Sequence, residues 1–292
     1  MKFLILDVFA EDKYAGNQLA VVFDAGSLTV EVMQTLAREF NFSETTFLRA
    51  AEEGEDGWRV RIFTPGGEVP FAGHPTLGTA WAIASELVAS PVERLVLDLR
   101  AGRIPVDFTY RDGGVDLLWM RQLPPVFGET LDPSTAARLL GVEGEQVDRR
   151  FPVQEVSTGL PFLLVPLKDL EAVRRARLDL KAYGELVERG GAQGVLLFSP
   201  ETYRPENDLN ARMFADGLGV PEDPATGSAN GCLAGYLVKH RYFGRGEVEA
   251  RVEQGYEIAR PSLLLLQARE ADDGIEVRVG GRVVPVARGE LV

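Results

Sequence analysis

Two ten-residue stretches lying 151 positions apart carry the same frame: Arg61-Ile62-Phe63-Thr64-Pro65-Gly66-Gly67-Glu68-Val69-Pro70 and Arg212-Met213-Phe214-Ala215-Asp216-Gly217-Leu218-Gly219-Val220-Pro221. Five of the ten positions are identical, namely Arg, Phe, Gly, Val and Pro, where unrelated decamers at average residue frequencies share about one. Small-residue segments follow each stretch, Gly73-His74-Pro75-Thr76-Leu77-Gly78 and Gly227-Ser228-Ala229-Asn230-Gly231-Cys232. Both copies read as strand, tight turn and small-residue helix, the helix being entered through His74-Pro75 in one and Asp223-Pro224 in the other. A repeat spanning half the chain means two similar halves. A pseudo-two-fold axis between them would set the two helix starts against each other across one cleft.

The chain has 292 residues, roughly twice a typical domain of about 150, and a short connection rich in Pro and Gly follows Arg121. The boundary is placed near residue 122, giving halves 1–122 and 123–292, with the last strand free to pack back on the first half. Strand-like runs, Phe3 to Phe9, Leu19 to Phe23, Trp58 to Phe63, Leu95 to Leu99, Ile104 to Tyr110 and Gly114 to Met120, outnumber helical ones such as Thr29 to Phe40 and Ser134 to Leu140. Gly16-Asn17 and Arg111-Asp112-Gly113 supply turns, and Glu52 to Gly57 reads as an acidic turn. The expected class is therefore α+β rather than a doubly wound parallel sheet.

Thirty-one basic against 44 acidic residues give a formal charge of −13. A polyanion or an acidic membrane surface would be repelled, so neither nucleic acid nor membrane is an expected partner. The densest basic stretch, Arg174-Arg175-Ala176-Arg177, reads as a solvated helix end after Asp169 and Glu171. Apolar runs are strand-length and the first seven residues do not make a secretory signal, so a cytoplasmic location is expected. The single cysteine, Cys232, excludes an internal disulfide, a cysteine zinc cluster and chemistry needing two thiols. No P-loop, G-x-G-x-x-G or His-Glu-x-x-His occurs, and Ser228 lacks the glycine that a nucleophile-elbow serine has two positions earlier. No metal and no cofactor are expected.

A helix N-terminus offers unpaired backbone N–H groups and partial positive charge, and two of them suit a carboxylate. Small residues at Gly73, Gly78, Gly227, Ser228 and Ala229 would allow a ligand close to the backbone. Near such a site the sequence supplies His74, Asp223 and Ser228, together with Glu44 in the polar loop Ser43-Glu44-Thr45; a partly desolvated carboxylate there can shuttle a proton to or from carbon. The other histidine, His240, reads as a surface residue complementing a helix dipole. Cys232, four residues after Ser228, reads as a core cysteine.

These stretches, with Asp7-Val8-Phe9, Gly16-Asn17-Gln18-Leu19-Ala20, Phe42-Ser43-Glu44-Thr45, Glu222-Asp223-Pro224-Ala225-Thr226-Gly227-Ser228-Ala229 and Glu253-Gln254-Gly255, make the chain resemble the phenazine-biosynthesis (PhzF-like) isomerase family, which shares its fold with diaminopimelate epimerase and proline racemase. The resemblance implies two pseudo-two-fold-related domains, each a curled, mostly antiparallel sheet around a central helix, and a homodimer. It also implies a cofactor-free isomerisation that moves a proton between carbons of a small, cyclic carboxylic acid. Glu44 would be the proton carrier, with His74, Asp223 and Ser228 assisting. Backbone near Gly73 and Gly227 to Ala229, with Asn17 and Thr76, would bind the substrate. Epimerases of this fold use two thiols at the helix starts, where this chain has Gly73-His74 and Gly227-Ser228. Two other readings stay open: a non-catalytic metabolite- or partner-binding protein on the same scaffold, and a hydrolase or lyase using Asp223, His74 and Ser228.

Overall fold

Alternation of apolar residues builds the strands, and two charge-poor helices decide what those strands wrap around. In the computed structural model, residues 1–49, 57–188, 191–218 and 220–292 are described. The acidic turn expected from residue 52 therefore falls, apart from Gly57, outside the described residues, as does Gly219 of the second decamer. The chain divides into two compact units, Met1–Arg121 with Gly280–Val292, and Gln122–Val279.

The first unit contains β1 (Lys2–Val8), β2 (Asn17–Val22), α1 (Val30–Phe40), β3 (Glu44–Arg49), β4 (Trp58–Phe63), β5 (Glu68–Val69), α2 (Gly73–Glu86), β6 (Arg94–Leu99), β7 (Gly102–Arg111) and β8 (Gly114–Arg121). Strands β1 and β2 are antiparallel across the Gly16-Asn17 turn. Gly16 sits there at φ +65, where an added Cβ would lie 2.4 Å from the Val8 carbonyl oxygen, so only glycine fits. Strands β2 and β3 run parallel, which requires a crossover, and α1 supplies it. Thr29 caps α1 by accepting from the Val32 N–H at 3.4 Å. Its buried residues Met33 and Ala37 close a small outer core with Val22, Ala25, Phe47 and Phe63. Strand β4 pairs antiparallel with β3 and β5 and parallel with β6, the crossover this time being α2. Strands β6, β7 and β8 continue as an antiparallel meander. Its last turn has Asp112 at φ 52 and Gly113 at φ 82, the two positive values a primed hairpin turn needs.

Helix α2 carries no acidic or lysine/arginine side chain before Glu86, and its residues from Gly73 to Ala80 are all buried. A helix with no polar stripe must be covered on every side. The sheet of the first unit curls around it, with β1, β2, β3, β6, β7 and β8 all in contact. Gly78 makes the closest approach possible: a Cβ there would lie 2.5 Å from Leu19 Cδ2 and 2.8 Å from Val8 Cγ2. Its smallness serves packing of α2 on the sheet, a role different from the ligand access expected of it.

The second unit contains β9 (Val126–Leu131), α3 (Pro133–Leu140), β10 (Val153–Ser157), β11 (Pro161–Pro166), α4 (Leu170–Arg175), α5 (Leu180–Glu188), β12 (Gly194–Ser199), β13 (Leu209–Ala215), β14 (Val220–Asp223), α6 (Gly227–Lys239), β15 (Glu247–Gln254) and β16 (Ser262–Ala271), followed by β17 (Gly274–Gly281) and β18 (Val283–Glu290). The last strand belongs to the first unit, hydrogen-bonded antiparallel to β1. From β10 to β16 the pairings run antiparallel, parallel, antiparallel, then a junction at β13 with an antiparallel β14 and a parallel β15, then antiparallel again. Strands β1 to β7 have that same sequence of pairings. Helix α6 corresponds to α2 and is buried over eleven of its residues, while α3, α4 and α5 cover the outer face with a second core around Leu139, Val165, Val195 and Tyr183.

The hairpin registers correct the sequence alignment of the halves. Ile62 pairs with Val69 in the first unit, whereas Met213 pairs with Asp223 in the second. The second hairpin is thus three residues longer, and beyond it the offset is 154 rather than 151. Arg61 and Arg212 remain equivalent, and each grips a carboxylate across its hairpin: Arg61 holds Glu68 at 2.7 and 2.8 Å, and Arg212 holds Glu222 at 2.8 Å through two nitrogens. The Val69-Pro70 and Val220-Pro221 identities occupy different places in the fold. His74-Pro75 lies inside the first turn of α2, whereas Asp223 ends β14 and Pro224 follows it, two residues before Thr226, the N-cap position of α6. At the structural offset His74 corresponds to Ser228, the second residue of each helix.

Candidate active site

In the first unit three elements bring their ends together. Glu44 opens β3, a correction to the loop expected around it; parallel pairing with Leu19 extends the strand back to this residue. His74 is the second residue of α2 and is 5% exposed. Its Nε2 lies 3.4 Å from Glu44 Oε2 and 3.3 Å from the carbonyl oxygen of Gln18 on β2. A carbonyl oxygen only accepts, so Nε2 carries the imidazole proton and donates it to Gln18, while Glu44 Oε2 lies beside the ring without taking a hydrogen bond from it. Burial pushes the His74 pKa down to about 3, with the Gln18 carbonyl pulling weakly the other way. At neutral pH the ring is therefore uncharged, and its contact with Glu44 is that of a neutral donor beside a carboxylate rather than an ion pair. Glu44 retains 18% exposure, so its carboxylate is partly desolvated yet reachable.

The expected substrate-binding residues of this unit are close by in the chain but differ in what their atoms do. Asn17 opens β2 and is 1% exposed. The Thr76 hydroxyl donates to the Ala72 carbonyl at 2.7 Å and is fully buried. Gly73 is the buried first residue of α2, whose N-cap Ala72 offers no side-chain hydrogen bond.

In the second unit, Asp223 ends β14, and its Oδ2 accepts from the Thr226 hydroxyl at 2.5 Å. Thr226 is the N-cap of α6, but its side chain makes no cap hydrogen bond. Helices α1, α3 and α4 differ, being capped by Thr29, Asp132 and Asp169. Both central helices thus begin with first-turn N–H groups that no side chain caps, the arrangement that favours an anion. Gly227 and Ala229 are buried in that first turn and Ser228 is half-buried. Gln254, at the end of β15, is fully buried and bonds Asp223, Thr226 and Asn230. Gly255 follows at φ +79, with Pro224 O 2.7 Å and Arg260 O 2.4 Å from where a Cβ would be. The sequence marked Glu253-Gln254-Gly255 without giving it a role. Glu253 is fully buried and accepts from the backbone N–H groups of Tyr203 and Arg204 at 2.7 and 2.8 Å, which fixes the loop before β13.

Cys232 is fully buried in α6 with its sulfur 3.6 Å from the Thr158 hydroxyl, and burial raises its thiol to about 11. His240 departs from the expected surface role. It is half-buried against the Tyr236 ring at 4.5 Å, with Nε2 2.8 Å from Gln154 Oε1. Burial and neighbouring Lys239 lower its pKa, so Lys239 is the cation at that helix end. The Arg174 to Arg177 stretch does end α4, with Arg175 paired to Glu171 at 2.9 Å. Among the described residues no cluster of three metal-binding side chains occurs, and no helix is long and apolar enough to cross a membrane.

Residues 6–289 match the family model described as phenazine biosynthesis-like protein. The trans-2,3-dihydro-3-hydroxyanthranilate isomerase of Pseudomonas aeruginosa is 35% identical over 289 residues, covering 99% of this chain and 98% of that protein. The crystal structure of a PhzF-family phenazine biosynthesis protein from Bacillus anthracis is 28% identical with a TM-score of 0.91, covering 100% and 99% of the two chains. A probable proline racemase from Agrobacterium radiobacter, 14% identical, has a TM-score of 0.63 over 100% of this chain and 92% of that one, a likeness of fold. The α+β architecture is that of the PhzF and proline racemase structures, and the chain belongs to the phenazine biosynthesis-like (PhzF) family of isomerases.

Proposed function

We propose that the chain moves a proton between carbons of a small carboxylic acid without a cofactor, with Glu44 as the acid/base. The observation carrying this reading is the Glu44–His74 pair, a reachable carboxylate beside a neutral imidazole whose Nε2 proton is already committed. The Glu44 carboxylate takes a proton from a carbon acidified by conjugation, and the electron pair left behind moves into the adjoining π system. The same carboxyl then returns its proton to another carbon, and the double bond shifts. No electrons are gained or lost, so no redox partner is needed. A permanently charged imidazolium would weaken Glu44 as a base, whereas a neutral ring can donate one hydrogen bond and still let the carboxylate accept a proton. Asp223 and Ser228 assist proton movement, and first-turn N–H groups near Gly73 and Gly227 hold the substrate carboxylate, as their uncapped helix starts favour.

Relatives named trans-2,3-dihydro-3-hydroxyanthranilate isomerase make that compound the first to try as substrate. Wild type and Glu44→Gln are incubated in deuterated water with it and with a panel of small cyclic and acyclic carboxylates, each followed by mass and NMR. Protein-dependent isomerisation or carbon–deuterium exchange that falls by at least about 100-fold in Glu44→Gln supports the reading. Exchange that survives the substitution assigns the proton transfer elsewhere. Compounds that raise the thermal midpoint yet never exchange would instead favour a binding protein.

A further inference from the structure

Thr226 occupies an N-cap position, where a hydroxyl ordinarily accepts from the N–H two or three residues ahead. Here it does not, and the surrounding hydrogen bonds show why. Gln254 is fully buried, and each end of its amide meets a backbone group with only one possible role. The Thr226 N–H can only donate, and it faces Oε1 at 3.3 Å; the Asp223 carbonyl can only accept, and it faces Nε2 at 2.7 Å. Asn230 Nδ2 adds a second donor to Oε1 at 2.8 Å. The orientation of the Gln254 amide is therefore fixed by chemistry. Its remaining Nε2 hydrogen points at Thr226 Oγ1, 3.2 Å away, so the hydroxyl accepts there. The one proton of the hydroxyl then has its direction set as well, and it goes to Asp223 Oδ2.

We propose that Gln254 and Thr226 form a one-way hydrogen-bond relay that holds Asp223 as a proton acceptor, which makes Gln254 and Thr226 positioning residues for the isomerisation. The inference rests on the part given to Asp223 in the proposed function. Gln254 anchors the Asp223 backbone while Thr226 anchors its carboxylate, so one side chain fixes both the place and the sense of the donor bond. A hydrogen bond to the charged form of a carboxyl favours that form. The Thr226 hydroxyl makes this bond where it could otherwise have capped the α6 N-terminus.

The relay is tested by 13C NMR titration of carboxyl-labelled aspartate in the free protein, with the Asp223 signal assigned by its loss in Asp223→Asn. Thr226→Val, which keeps the shape and removes the hydroxyl, should raise the Asp223 midpoint by about one pH unit. Thr226→Ser should restore it to near the wild-type position. Gln254→Glu should raise it further, because a carboxylate at 254 accepts the Thr226 proton and adds a like charge. Solvent-exchange rates with trans-2,3-dihydro-3-hydroxyanthranilate, or with whichever panel acid the wild type turns over, are then measured against pH. The acidic limb in Thr226→Val should move up with the titration, and Thr226→Ser should bring it back. An Asp223 midpoint unchanged in Thr226→Val overturns the relay. A midpoint that moves without moving the pH profile of exchange overturns the positioning role. The titration needs no substrate, so it decides the relay even if the isomerase reading itself fails.

Discussion

Lowering the pH from 7 to 5 should cost the fold about 2 kcal/mol through His74 alone. In the unfolded chain this imidazole takes up a proton near pH 6.5, whereas in the folded protein it does so only near 3. Between those values the unfolded state binds the more protons, so stability falls as pH falls. It is nearly unaffected by this group above 7, and the full loss of about 5 kcal/mol is reached only below pH 3. The cause is burial: the ring is 5% exposed, and its hydrogen bond to the Gln18 carbonyl offsets only part of the cost of charging it. Urea unfolding of wild type and His74→Gln at pH 7 and pH 5 isolates the effect, because the substitution keeps a side-chain donor but removes the titration. Wild type should lose about 2 kcal/mol more than the variant over this interval. The opposite result, a wild type that gains stability relative to the variant on acidification, would show that His74 and Glu44 form a charged pair. The neutral-donor argument would then be wrong.

Three further outcomes follow from packing and burial. Gly78→Ala should destabilise the protein by roughly 1–3 kcal/mol in chemical denaturation despite the better helix propensity of alanine, since the new Cβ would sit 2.5 Å from Leu19 Cδ2; a more stable variant would show that α2 is less tightly seated on the sheet. Arg212→Met should cost about 3–5 kcal/mol by stranding the partly buried Glu222 carboxylate and the carbonyls of Val173 and Ala176 at the end of α4, and Arg212→Lys should recover only part of it. Cys232 should resist alkylation at pH 8 in the native protein and react once unfolded, because it is fully buried with its thiol raised to about 11; Cys232→Ala should keep the wild-type exchange activity, and loss of that activity would give the thiol a part in turnover.

The elements were legible where a local rule was strong. The hairpin at Asp112-Gly113, the helix following Gly26-Ser27 and the small-residue central helices could each be read from a few residues, because turn chemistry and helical spacing leave little choice. Glu44 was harder. Ser43-Glu44-Thr45 is polar enough to read as a loop, and only pairing with Leu19, distant in sequence, makes it the start of a strand. Gln254 was marked only as part of Glu253-Gln254-Gly255, and its role gave no local signal, since that role lies in bonds to residues 24 to 31 positions away. Arg212 is a similar case: a buried arginine is recognisable only when its carboxylate and its carbonyl acceptors are in place around it.

The three-residue difference between the hairpins bears most directly on function. Counted at the sequence offset, His74 stands opposite Ala225, and the helix starts of the two halves do not match. Counted at the offset set by strand register, Ala72 matches Thr226, Gly73 matches Gly227 and His74 matches Ser228. The glycine that opens each helix is retained, while the residues on either side differ. Thr226 replaces an alanine and can direct a proton to Asp223, whose own counterpart is Val69. A histidine in one unit becomes a serine in the other, so the ring that contacts Glu44 has no copy. Each unit thus keeps the buried helix and its uncapped first turn and varies the side chains next to that turn. The asymmetry is one of side chains alone: two identical helix starts would offer the same group twice, whereas these place an imidazole beside Glu44 in one unit and a hydroxyl against Asp223 in the other.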